Sequence, residues 1–112
     1  MILWKNNKAP ALPYYAVIFV SEKKADLTGY AETNDRMMTL VQELPGYLGY
    51  ESVKQENKGI FISYWQSMES IESWKNNKEH NQAKADGIKK WYHYYHSLIC
   101  KVEHETFLIP EL

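Results

Sequence analysis

Residues 14–21, YYAVIFVS, form a run with almost no polar interruption. Val, Ile, Tyr and Phe favour extended backbone, and a strand apolar on both sides is normally covered on both faces. A polar connection follows over 22–29. In 30–44 the apolar side chains fall at Tyr30, Met37, Val41 and Leu44, flanked by Met38 and Leu40, spacings that keep them on one helical face. Pro45-Gly46 stops that helix. Residues 47–55 and 58–65 read as two strands of a hairpin. Glu56-Asn57-Lys58-Gly59 supplies the turn, because Asn and Gly tolerate positive φ. The second arm, GIFISYW, is again nearly all apolar. Ser67 is an N-cap, and Glu69 in the first turn suits the helix dipole. Met68, Ile71 and Trp74 share a helical face. Lys75-Asn76-Asn77-Lys78 interrupts it with a bend, and a second helical stripe follows at His80, Ala83, Gly87, Ile88 and Trp91. The last strand is expected over 95–108. There Leu98, Cys100 and Val102 alternate with Ile99, Lys101, Glu103 and Glu105.

The order is β-α-β-β-α-β with a broken second helix. It predicts an α+β, ferredoxin-like domain over 14–108, an antiparallel sheet with helices on one face. Residues 1–13 read as an arm, since Pro10 and Pro13 disfavour both helix and central strand. Trp4 in that arm docks on its own domain or on a partner, and docking at home is the simpler expectation. Residues 109–112 are a tail. The helices cover only one sheet face, yet the strands at 14–21 and 58–65 are apolar on both. A second copy of the chain is the economical cover, which predicts a homodimer, and a last strand of that length would reach beyond its own sheet.

Length and composition narrow the class further. The 112 residues suit one domain with a core of its own. Lys and Arg total 13 against 14 Asp and Glu, so no general field attracts nucleic acid or an anionic membrane. The longest apolar run is far short of the roughly 20 residues of a spanning helix. Met1 to Trp4 leads directly into Lys5, Asn6, Asn7 and Lys8 rather than into a signal-peptide core, and a cytoplasmic protein is expected. The lone Cys100 makes neither an intrachain disulfide nor a cysteine zinc site and is most simply a small core residue. The unusual quantity is aromatic: nine Tyr, four Trp and three Phe.

Tyr64-Trp65-Gln66-Ser67, then Trp74-Lys75, His80, Trp91-Tyr92 with Tyr95, and the closing Cys100-Lys101-Val102-Glu103 resemble the antibiotic biosynthesis monooxygenase (ABM) family over 14–108. The resemblance implies a dimeric α/β barrel whose sheets pack back to back. It also implies a cavity between sheet and helices in each subunit that takes a flat aromatic ligand. Characterised relatives include cofactor-independent oxygenases of anthrones or quinols and heme-degrading monooxygenases. Heme-degrading relatives carry an Asn on the first strand, a Trp on the second helix and a ligating His about ten residues later. Here Trp74 matches, but the first strand has no Asn and the matched ligand position is Lys84, a poor iron ligand when protonated. Heme is therefore not the expected ligand, and no other cofactor is expected.

Among residues able to carry chemistry, His80 stands beside a polar bend and titrates near neutrality, so it is a candidate proton acceptor; the alternative is a helix-start histidine bonded to backbone. Trp74 is a candidate wall for a planar substrate, as is Trp65, for which core packing is the favoured role. Tyr64, Tyr92 and Tyr95 offer phenolic hydrogen bonds to a substrate oxygen, with rim packing as the alternative. His93-x-x-His96 superficially suggests metal ligands, but alternation puts the two on opposite strand faces and no third ligand completes a set, so no metal site is expected. No glycine-rich phosphate loop or Ser-His-Asp spacing is present. The expected function is a cofactor-independent monooxygenase acting with dioxygen on a small electron-rich aromatic, of anthrone or hydroquinone type. The alternative is a non-catalytic dimer that binds a small ligand or serves a stress role, and heme degradation is third.

Overall fold

The computed structural model describes residues 1–108. The tail at 109–112 lies outside the described residues. The elements are β1 (Leu3–Trp4), β2 (Tyr14–Lys23), α1 (Tyr30–Val41), β3 (Tyr47–Gln55), β4 (Lys58–Trp65), α2 (Met68–Lys75), α3 (Lys78–Asp86), a π-turn (Gly87–Trp91) and β5 (Tyr92–Val102). The sheet runs β1-β3-β4-β2-β5, antiparallel throughout. Without β1 this is the ferredoxin-like plan expected from the sequence.

The hairpin has the predicted bounds, with Glu56 at φ 57° in its turn. At the other end of β4, Ser67 caps α2 as expected. Its Oγ accepts from the Ser70 N–H at 3.1 Å, and its own N–H donates to Ser70 Oγ at 3.2 Å, a closed box. Gly46 sits against this cap at φ 86°, where a Cβ would stand 2.5 Å from Ser70 Cβ. Only glycine fits both the turn and the approach. The break in the second helix falls at Asn76-Asn77, and the Asn77 side chain starts α3 by accepting from the His80 N–H at 3.0 Å. A bidentate ion pair from Arg36 to Glu79, 2.9 and 3.0 Å, ties α1 to α3.

Three expectations need correction. The first helix ends at Val41, three residues before Leu44, and the chain then turns through Leu44 N–H to Val41 O. The last strand runs from Tyr92 to Val102 rather than over 95–108. It pairs with β2 along its whole length, from Lys23↔Tyr92 to Tyr14↔Val102, so it does not overhang its own sheet. Charged Glu103 and Glu105 follow, and Glu105 turns back to accept from the Tyr14 hydroxyl at 2.6 Å. Ile88, placed on the stripe of α3, is exposed instead, because the π-turn inserts an extra residue into the helical repeat.

Alternation along the strands gives the sheet two unlike faces. On the helix side Val41, Tyr47, Trp65 and Ile71 are buried together, with Tyr15, Val17 and Trp74 packed on them. On the other side Tyr14, Ala16 and Tyr64 form a second cluster roofed by Ile2 and Trp4 of the arm. Trp4 packs edge-on against Tyr14 at 5.9 Å, so the arm docks on its own domain as expected. Its strand β1 pairs with β3 at Leu3↔Tyr50 and Trp4↔Gly49, a short edge strand ahead of the prolines that the sequence did not signal. Gly49 makes room for it: a Cβ there would lie 2.5 Å from Leu3 O and 2.9 Å from Trp4 Cα. The rest of this face, with Ile18, Val20, Ile60 and Leu98, carries no helix or strand layer among the described residues, and free Cys100 sits half-buried on it.

Candidate functional site

The helix break creates the feature with most chemical content. Because Asn77 restarts the helix, His80 folds back over the end of α2, and its ring stacks on Trp74 with centroids 4.2 Å apart and planes at 22°. His80 Nδ1 lies 3.0 Å from the Trp74 carbonyl oxygen. A carbonyl only accepts, so Nδ1 carries the proton and Nε2 keeps its lone pair. Burial lowers the His80 pKa below its ordinary 6.5, and the Lys84 cation lowers it further, against the opposing pull of that carbonyl. The ring is therefore neutral at pH 7, with one tautomer selected and, among the described residues, no partner on the basic Nε2.

The other candidates do not gather around this pair. Trp65 is 1 % exposed, packs edge-on against Tyr47 at 5.4 Å, and donates its indole N–H to Ser63 Oγ at 2.8 Å. That is the core role favoured for it, and it leaves no face for a ligand. Tyr64 is the next residue back on the strand and so points to the opposite side of the sheet. It donates to Glu51 Oε2 at 2.6 Å beneath Trp4. The sheet separates it from His80, so the two cannot share one cavity within a subunit. Tyr92 and Tyr95 are on the helix side but belong to a different aromatic group. Phe19 stacks on Tyr95 at 5.5 Å and meets Tyr92 edge-on at 5.4 Å, and Tyr92 meets Tyr30 at 6.4 Å. Burial and the neighbouring Tyr30 push the Tyr92 phenol far above its ordinary pKa, so it stays protonated and acts only as a hydrogen-bonding group. An open depression beside it is lined by Ile88, Tyr92, His93, Tyr94 and Tyr95.

Sequence reasoning passed over Tyr47. Its hydroxyl is buried in the cluster that holds Trp74 and has no hydrogen-bond partner among the described residues; Gln42 lies near without completing one. Burial raises its pKa to about 12. A buried, unpaired donor in this cluster is costly unless a ligand uses it. The one sequence signal was its place directly after Pro45-Gly46, where the chain re-enters the sheet. Among the described residues no three His, Cys, Asp or Glu side chains come together as a metal set, and no helix is long and apolar enough to cross a membrane.

Residues 13–86 match the family model described as antibiotic biosynthesis monooxygenase. The chain belongs to the ABM family. YqjZ, an uncharacterized protein of Bacillus subtilis (strain 168), is 45% identical over 100 residues, 88% of each chain. Among solved structures, Rv0793 from Mycobacterium tuberculosis superposes with a TM-score of 0.72 at 12% identity, over 84% of this chain and 99% of that one. SnoaB from Streptomyces nogalater, described as a cofactor-independent oxygenase, gives 0.67 at 10% identity, over 89% and 100%. At such identities the superpositions establish the ABM fold. They leave the chemistry to the side chains.

Proposed function

We propose that this ABM protein is a cofactor-independent monooxygenase acting on a small electron-rich aromatic, an anthrone or hydroquinone, and that it works as a homodimer. The observation that carries the reading is His80, neutral, fixed in one tautomer by the Trp74 carbonyl and, among the described residues, with no partner on Nε2. Triplet dioxygen reacts slowly with closed-shell molecules, but a deprotonated anthrone or hydroquinone passes it one electron readily. In this reading His80 Nε2 takes the proton that generates the anion, and the half-buried surroundings keep water from competing. Trp74 serves first as the platform that holds the imidazole, since His80 already covers one face of its ring. The Tyr47 hydroxyl is a donor for a substrate oxygen. The bare apolar face opposite the helices supports the dimer.

The test is oxygen consumption with dithranol as the anthrone, using metal-free protein. His80→Gln keeps a polar side chain but removes the base, and turnover should fall by about 10²–10⁴-fold, the usual worth of general-base help. Because the His80 pKa lies below 6.5, activity should be level above neutrality and fall on acidification as the ring gains its proton. A wild-type protein that leaves dithranol autoxidation unchanged removes the oxygenase reading. It would favour the second one, a non-catalytic ligand-binding dimer, for which the buried Trp65 and the covered face of Trp74 already speak.

A further inference from the structure

Lys23 ends β2 on the helix side of the sheet, in phase with Phe19 and Ser21. Its ammonium stands 5.3 Å from the Tyr30 ring centroid and 6.0 Å from that of Tyr92. Across the strand pair is Gly59. A Cβ at Gly59 would lie at ordinary contact distance, 3.5 Å from Lys23 Nζ, 3.7 Å from Ser21 Oγ and 3.8 Å from Val53 O, so its absence leaves a methyl-sized hollow faced by two donors and one carbonyl. The ion pairs among the described residues do not include Lys23. The charge that acts on it is of the same sign, from Lys54, which adds to the effect of burial in lowering its pKa.

This corner therefore holds a half-buried cation with a second cation pressing on it, and among the described residues no carboxylate forms an ion pair with either. Two phenol rings offset part of the cost through their faces. An anion would offset the rest. The surroundings also say what the anion is attached to. Tyr92, whose ring the ammonium approaches, touches Phe19, and Phe19 stacks on Tyr95, which is 38% exposed at the edge of the open depression. Tyr92 thus joins the two, lining the depression while its ring stands 6.0 Å from the Lys23 ammonium.

We propose that this corner binds an aromatic carboxylate. Its ring lies against Tyr92 and Tyr95, and its carboxylate sits over the Gly59 hollow on Lys23 Nζ, with Ser21 Oγ as a second donor and Lys54 strengthening the field. Lys23 stands eight residues along β2 from Tyr15, which packs on the same cluster as Trp74, so this is a binding site separate from the His80 pair and independent of turnover there.

The experiment is calorimetric titration of the full chain at neutral pH with 2-naphthoate and with 2-naphthamide, which share a ring system and differ in charge. Naphthoate should bind about tenfold more tightly or better, the usual worth of a charge-assisted hydrogen bond. Lys23→Met should abolish that preference while leaving naphthamide affinity where it was. Lys23→Arg should retain the preference, and Lys54→Met should reduce it without removing it. Equal affinity for the two probes, failure of naphthoate to bind, or a preference that survives Lys23→Met overturns the proposal. Should Lys23→Met not fold, the Lys23 Cε resonance of the wild-type protein decides: it should move on adding naphthoate and not on adding naphthamide, and a stationary resonance overturns the proposal. Naphthoate preference without dithranol turnover would remove the oxygenase reading alone.

Discussion

On the helix-covered face of the sheet Trp65 retains 1% of its exposure and Ile71 2%, whereas on the opposite face Ile60 retains 41% and Leu98 38%. Trp65 and Ile60 stand on one strand, β4, which is apolar on both sides, and Ile71 comes from α2 above it. What differs is cover. α1 and α2 close one face completely around Trp65. The N-terminal arm closes the other only at the end where Trp4 lies across Tyr14 and Tyr64. Hydrophobicity along a strand therefore reports that both faces want burial. It does not report which partner supplies it, and here the chain supplies one partner and a fraction of another.

Three measurements break or sharpen this contrast. Trp65→Ala removes the most enclosed side chain of the closed face and should cost about 3–5 kcal/mol in chemical denaturation, the range for a large buried aromatic. A loss below about 1 kcal/mol would mean that the closed face is not the principal core. Next is alkaline stability, which probes the half-covered end. Burial and the carboxylates of Glu105 and Glu51 raise the Tyr14 and Tyr64 phenols well above 10. The folded state thus keeps protons that the unfolded chain gives up. Stability from this source is complete below pH 10 and is lost as pH rises beyond it. The double variant Tyr14→Phe, Tyr64→Phe should flatten that decline, and an unchanged alkaline profile would count against the clustered phenols. The smallest effect on the folded subunit is expected from Leu98→Glu on the bare face. A single exposed substitution shifts subunit stability by roughly 0.5 kcal/mol or less. The same change should convert a homodimer to a monomer in sedimentation, and a wild-type chain that already sediments as a monomer would remove the dimer from the proposal.

Much of the fold was legible because its signals are local. The hairpin turn, the Ser67 cap and the Asn76-Asn77 break are each written within a few residues. Signals that depend on partners distant in the chain were not legible. β1 needs Gly49, forty-five residues after Trp4, before an arm containing prolines reads as a strand. The end of β5 at Val102 depends on where β2 begins, at Tyr14. The site divides the same way. The contact of His80 with Trp74 follows from the broken helix, and the break was visible. Tyr64 and Trp65 were grouped as one site although adjacent strand residues point apart, a conflict alternation alone exposes. Lys23 drew no notice because its surroundings come from Tyr30, Gly59 and Tyr92, spread over most of the domain.

A side chain at Gly49 would strike the backbone of Leu3 and Trp4 and free the outer edge of β3. An unpaired strand edge is a template on which further strands can add. In this chain glycine at position 49, together with Trp4 in the leading segment, lets the chain cover the start of its own sheet border, at Gly49 and Tyr50. Replacing that glycine is expected to open this stretch of β3 to self-association, which sedimentation of a Gly49→Val variant would show.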